Sequence, residues 1–87
     1  MEIKHDEGKF YTETKHGDAE LLYRIHGSIM SIYHTFVPEE ERNKGIAEEL
    51  AKAAFSFAVK NGLKVRPDCP YIVHFLKTHK DMQEHAA

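Results

Sequence analysis

The chain holds a single cysteine, no tryptophan and no long apolar run. Each shortage excludes a class of protein. With Cys69 alone there is no intramolecular disulfide, and no cysteine pair is available for a structural zinc site. No apolar stretch approaches the roughly 18–20 residues that span a bilayer as a helix. Neither sign of charge dominates: twelve Lys and Arg stand against fourteen Asp and Glu, a formal net charge of −2. Nucleic-acid-binding domains ordinarily carry a clear basic excess, so composition points away from that partner. The start, Met1-Glu2-Ile3-Lys4-His5-Asp6-Glu7, is charged at once and lacks a signal-peptide core. A cytoplasmic location with no membrane partner is the expectation.

Histidine, by contrast, is plentiful. The seven stand at 5, 16, 26, 34, 74, 79 and 85, and no two have the i, i+4 spacing of a helical zinc motif. No metal site is expected. The 87 residues, 41% apolar and 30% charged, fit one soluble globular domain over 1–87. A monomer is expected, with room for one modest core.

Along the chain the first half is strand-like. Ile3 to His5 and Phe10 to Thr14 flank a turn at Gly8, and Ala19 to Ile25 alternates after a second turn at Gly17. His26-Gly27 then leads into Ser28 to Val37. There Ile29, Ser31, Tyr33 and Thr35 face one side, and Met30, Ile32, His34 and Phe36 the other. Apolar groups on both sides predict a strand covered on both faces. Short turns between these four strands favour an antiparallel meander.

Pro38 ends that run, and Glu39-Glu40-Glu41 reads as a solvated acidic loop. From about Lys44 to Asn61 the period becomes helical, with Ile46, Leu50, Ala53, Ala54, Phe57 and Ala58 on one stripe before Asn61-Gly62 stops it. Leu63 to Val65 is a short strand, parallel to its partner because a helix crosses over between them. Tyr71 to about His79 forms a second helix with Ile72, Phe75, Leu76 and His79 on one face, and Asp81 to Ala87 is expected to fray. The fold class is α+β: helices on a mixed, mostly antiparallel sheet of about five strands.

Chemistry concentrates where the fourth strand gives way to the long helix. A helix N-terminus offers unpaired N–H groups and a partial positive charge, and it binds phosphate where the backbone can be approached. Gly45 has no Cβ to obstruct that approach and Ala47 only a methyl, while Arg42 and Lys44 add positive charge. Taken alone, this is an anion-binding turn of low specificity.

The turn Arg42-x-x-Gly45-x-Ala47 resembles the acetyl-CoA signature of the GNAT N-acetyltransferase superfamily. The run Ile32-Tyr33-His34-Thr35-Phe36-Val37-Pro38, then Asn43-Lys44-Gly45-Ile46-Ala47, then Lys64-Val65-Arg66-Pro67-Asp68-Cys69-Pro70-Tyr71 and His79, is similar to a small single-domain branch of the YjdJ type. The likeness covers roughly residues 28 to 82. Asn43 stands where many relatives carry glycine, and asparagine tolerates left-handed backbone. The chain is also about half as long as a full domain of the superfamily, so the cofactor half is present and most of the acceptor half is missing.

The resemblance implies acetyl-CoA as cofactor and an amine as acceptor, a small molecule or a protein lysine or N-terminus. It implies a truncated form of the superfamily fold, with Arg42, Asn43, Lys44, Gly45, Ile46 and Ala47 on the pyrophosphate and the backbone of Phe36 and Val37 along the pantetheine arm. His34, on the same strand, is a candidate base. Cys69, at the start of the last helix, is a candidate nucleophile or a buried packing residue. Tyr71 and His79 read as packing residues. The alternative function is a non-catalytic module that binds CoA or its thioesters.

Overall fold

A computed structural model describes all residues, 1–87. Five strands run β1 (Lys4–Asp6), β2 (Lys9–Thr14), β3 (Gly17–His26), β4 (Ile29–Phe36) and, after the helix, β5 (Lys64–Pro67). They lie in the sheet in sequence order. β1 to β4 form the antiparallel meander, and β5 adds parallel to β4, with Ile29 opposite Lys64 and Ile32 opposite Pro67. Helix α1 (Ile46–Lys60) makes the crossover that a parallel pair requires. Helix α2 (Pro70–Thr78) follows β5, with Pro70 in its first turn, where a missing N–H does no harm.

One core lies between the sheet and the helices. Phe10, Leu21, Tyr23, Met30 and Ile32 from the strands meet Leu50, Ala54, Phe55 and Ala58 of α1 and Ile72 and Phe75 of α2. Phe55 is the centre, fully buried with its ring 5.4 Å from that of Phe75. The helical stripe is therefore rotated from the expected one. Ala51 and Phe55 are buried, whereas Ala53 and Phe57 pack at its margin, because α1 is flanked by α2 as well as by the sheet. Phe57 joins an aromatic group with His5, Phe10 and Tyr23.

The strand phasing also needs correction. Between β3 and β4, Tyr23 pairs with Ile32 but Leu22 pairs with His34, so Tyr33 is an extra residue in a bulge. A one-residue insertion reverses the alternation beyond it. Met30 and Ile32 face the helices, and after the bulge it is Thr35, opposite the buried Leu21, that shares their face. His34 and Phe36 face away. That second face carries no helical layer, and Tyr33, His34 and Phe36 are exposed there, so β4 is covered on one face only.

Two further expectations fail at the ends of elements. The acidic loop is a 3₁₀ turn, Glu39–Glu41, and Glu41 is buried. Residues Lys80–His85 form a 3₁₀ helix instead of fraying. Met82 packs on the core, Ala86 bridges to Val65, and the Ala87 N–H donates to the Val65 carbonyl at 2.7 Å, covering the outer edge of β5.

Candidate active site

β4 and β5 pair only as far as Ile32 and Pro67, after which the chain turns off into α2. From Tyr33 to Phe36, β4 has β3 on one side and no strand on the other. A clamp pins the fork where the strands part. The Asp68 carboxylate accepts from Ser31 Oγ at 2.5 Å and from Arg66 Nε at 2.6 Å, and its own N–H donates to the Ile32 carbonyl at 3.0 Å. Ser31, and then Arg66, hold its carboxyl below the usual carboxylate range.

Above the fork the chain passes through the turn before α1. Asn43 has φ 65° and Gly45 φ 81°, two left-handed residues that aim backbone N–H groups to one side. Gly45 is the N-cap of α1, so the helix begins at Ile46, two residues later than the sequence pattern suggested. No side chain caps this end, and the N–H groups of Ile46, Ala47 and Glu48 make no backbone hydrogen bond. A Cβ built on Gly45 would meet nothing within 4 Å, so the space beside these amides is open.

Two adjoining grooves run along the turn. The first, about 220 Å³, is lined by Val37, Arg42, Asn43, Gly45, Ile46, Ala47, Glu48 and Tyr71 among others. The second, about 350 Å³, shares Val37, Arg42, Asn43, Ala47 and Tyr71 and extends to Thr35 and Phe36. Cys69 adjoins this end: its Sγ donates to Thr35 Oγ1 at 3.5 Å, and the residue is 6% exposed. Cys69 is also the N-cap of α2, its carbonyl accepting from Ile72 and Val73.

Most of the residues singled out in the sequence thus line one continuous surface. Lys44 does not line these grooves; its Nζ pairs at 3.0 Å with buried Glu41, whose other oxygen meets His16 Nδ1 at 2.7 Å. His16, and then Lys44, hold the Glu41 carboxyl below the usual carboxylate range, and the trio ties the β2–β3 turn to the turn before α1. A wider cleft of about 550 Å³, lined by Lys4, Lys15 and Lys44 among others, lies on that side of Glu41, away from Thr35 and Cys69. Arg42 Nε donates to the Val37 carbonyl at 3.0 Å, which fixes the guanidinium beside the end of β4.

His34 stands apart from Cys69. Thr35, which touches the thiol, points toward the helices, and His34 points to the open face opposite Leu22. Thr35, Tyr71 and Glu48 were not assigned to the site from sequence. Only the bulge explains Thr35, and no periodicity announces it. Burial, and then the Glu48 carboxylate, push the Tyr71 phenol above its ordinary value, so it stays protonated near neutrality.

Comparison with known proteins identifies the fold and the family. The fold matches, with a TM-score of 0.81 and 31% identity, the solution structure of a GCN5-like protein from Staphylococcus aureus, over 99% of this chain and 87% of that one. The class is therefore the GNAT fold. The family model for GCN5-related N-acetyl-transferases matches residues 9–85. The chain belongs to the GCN5-related N-acetyltransferase family, and acetyltransferase is the enzyme class that this membership defines. It is also similar to the protein NATD1 of Gallus gallus, 37% identical over 82 residues, covering 88% of this chain and 74% of the relative. NATD1 of Homo sapiens is 44% identical over 63 residues, covering 71% of this chain and 56% of its own length. The chain thus spans only part of these relatives.

Proposed function

We propose that the chain binds acetyl-CoA along the two grooves and transfers its acetyl group to an amine. The observation that carries this reading is the uncapped start of α1 standing directly beyond the fork where β4 loses its β5 partner. The family generally uses acetyl-CoA, which supplies an activated acetyl carbon. The residues present fit such a ligand. The amides of Ile46, Ala47 and Glu48, with Gly45 leaving the approach clear and Arg42 beside them, suit the pyrophosphate. Asn43 holds the turn in left-handed backbone, and Lys44 anchors it through Glu41. The free edge of β4 at Phe36 and Val37 suits an extended arm that adds like a strand.

Cys69 Sγ stands at the inner end of this path. In transfer through the thiol, Sγ loses its proton, forms a bond to the acetyl carbon, and the carbon–sulfur bond to CoA breaks. The Sγ proton goes to the departing CoA thiolate, with the Tyr71 hydroxyl in the same groove as a relay that accepts one proton as it donates another. The amine then attacks, the bond to Sγ breaks, and the proton shed by the nitrogen returns to Sγ. His34 faces the open side of the sheet, away from Cys69, so as a base it suits direct attack by an amine approaching from that side rather than the step through the thiol.

A second reading, a module that binds CoA without turnover, is favoured by the burial of Cys69 within the core cluster. Intact-mass spectrometry after incubation with acetyl-CoA, comparing wild type with Cys69→Ala, separates the readings. An acetyl adduct present only with Cys69 supports transfer through the thiol. Binding of CoA without an adduct or an acetylated amine product leaves the binding module.

A further inference from the structure

The Glu48 carboxylate and His79 have no role in the reading above, yet they are joined. His79 Nε2 lies 2.7 Å from Glu48 Oε2, linking the first turn of α1 to the residue that ends α2. The imidazole is itself held in place. It stacks on Phe75 at 4.0 Å, with Nδ1 2.9 Å from the Phe75 carbonyl oxygen and 2.9 Å from Thr78 Oγ1. The only lysine or arginine near that carboxylate oxygen is Lys52, 3.9 Å away and on the exposed side of α1.

Glu48 occupies the third helical position after the Gly45 cap. A glutamate there ordinarily folds back onto the N–H of the cap, as in a capping box. The partial positive charge of the helix end draws it in the same direction. The cap N–H adjoins the Ile46, Ala47 and Glu48 amides that a phosphate would use, and Glu48 lines the same groove. Its carboxylate is therefore a competitor built into the site. No side chain caps α1, because this carboxylate is directed across to α2. Glu41, the other acid lining the groove, is restrained in a similar way by His16 and Lys44.

We infer that His79 is a positioning residue that holds the Glu48 carboxylate away from the first-turn amides and so keeps them open to the diphosphate of CoA. The inference rests on the acetyl-CoA reading and identifies the contact that keeps its anion site vacant.

Calorimetric titration of CoA into wild type, His79→Phe, His79→Gln, Glu48→Gln and the His79→Phe/Glu48→Gln double variant tests it. Phenylalanine keeps the stack on Phe75 and removes the bond to Glu48, so His79→Phe is expected to weaken binding about tenfold. His79→Gln, which restores a donor, is expected to stay near wild type. The double variant is expected to recover wild-type affinity, a rescue that a merely structural role for His79 would not give. Unchanged affinity in His79→Phe, or no rescue by Glu48→Gln, overturns the inference.

A second readout needs no ligand. In NMR spectra of His79→Phe, the Ile46 and Ala47 amides should show a carboxylate titration step that wild type lacks and that Glu48→Gln removes. If no variant binds CoA, the site reading fails and this step alone decides the role of His79. Its absence from His79→Phe, or its presence in wild type, refutes a positioning role for His79.

Discussion

At the scale of single residues, Gly45 is the most constrained position in the site. Its φ of 81° lies where an L-residue is strained, and the open space beside it is the approach to the amides. Gly45→Ala is expected to lower unfolding stability by about 1–2 kcal/mol and to weaken acetyl-CoA binding as well. Urea denaturation and calorimetry check the two effects separately. Gly45 was legible in the sequence as a glycine at a helix start, and Asn43 as a residue tolerant of left-handed backbone. Thr35 was not. Strict alternation placed it with Tyr33, and only the extra residue in β4 turns it toward Cys69.

Charge at the residue scale gives a pH dependence with a definite sign. Glu41 and Asp68 are both held below the usual carboxylate range in the folded chain, by His16 and Lys44 and by Ser31 and Arg66 respectively. A folded value below the unfolded one contributes stability that is fully present above the unfolded carboxylate range. It is lost as pH falls through the folded value. The melting temperature of wild type should therefore exceed that of Glu41→Gln at neutral pH, and the gap should close on acidification. A gap that widened toward acid would contradict the assignment.

At the scale of elements, α1 carries both the uncapped end beside the grooves and the centre of the core. Phe55→Ala empties a fully buried ring position between the sheet and α2, and should lower stability by about 3–5 kcal/mol, measured by urea denaturation. The helix itself was plain from its apolar period and its Asn61-Gly62 stop. Its buried side was misjudged by part of a turn, because a periodic stripe does not disclose that a second helix will pack beside the first.

The C-terminal segment shows a similar limit. Polar and short, residues 80–87 look unstructured in sequence, yet Met82, Ala86 and the Lys64 Nζ bond to the Glu84 carbonyl at 2.7 Å dock them on the edge of β5. Deleting 80–87 should lower the melting temperature by about 5–10 °C, the shift that one to two kcal/mol produces in a domain of this size. An unchanged melting curve would mean that the docked tail adds no stability.

At the scale of the molecule, the chain is two layers thick, 35 × 27 × 19 Å, with helices on one face of the sheet and the other face bare. Element order, the meander and the parallel fifth strand all follow from short turns and one crossover helix, and all were legible. The bare face was not: apolar residues on both sides of β4 suggested a covering layer, whereas the bulge redistributes them and leaves Tyr33, His34 and Phe36 exposed. The proposed function rests on an uncapped helix start and a free strand edge, beside a sheet face open to solvent.

The central claim is that acetyl-CoA lies along the turn before α1 and the free edge of β4. Titration of acetyl-CoA into the isotope-labelled protein, followed by amide chemical shifts, tests it most directly. The account predicts saturable shifts concentrated at Asn43 to Glu48 and at Tyr33 to Val37, with smaller ones at Cys69 and Tyr71. No saturable shift, or shifts gathered instead around the cleft at Lys4 and Lys15, would contradict it.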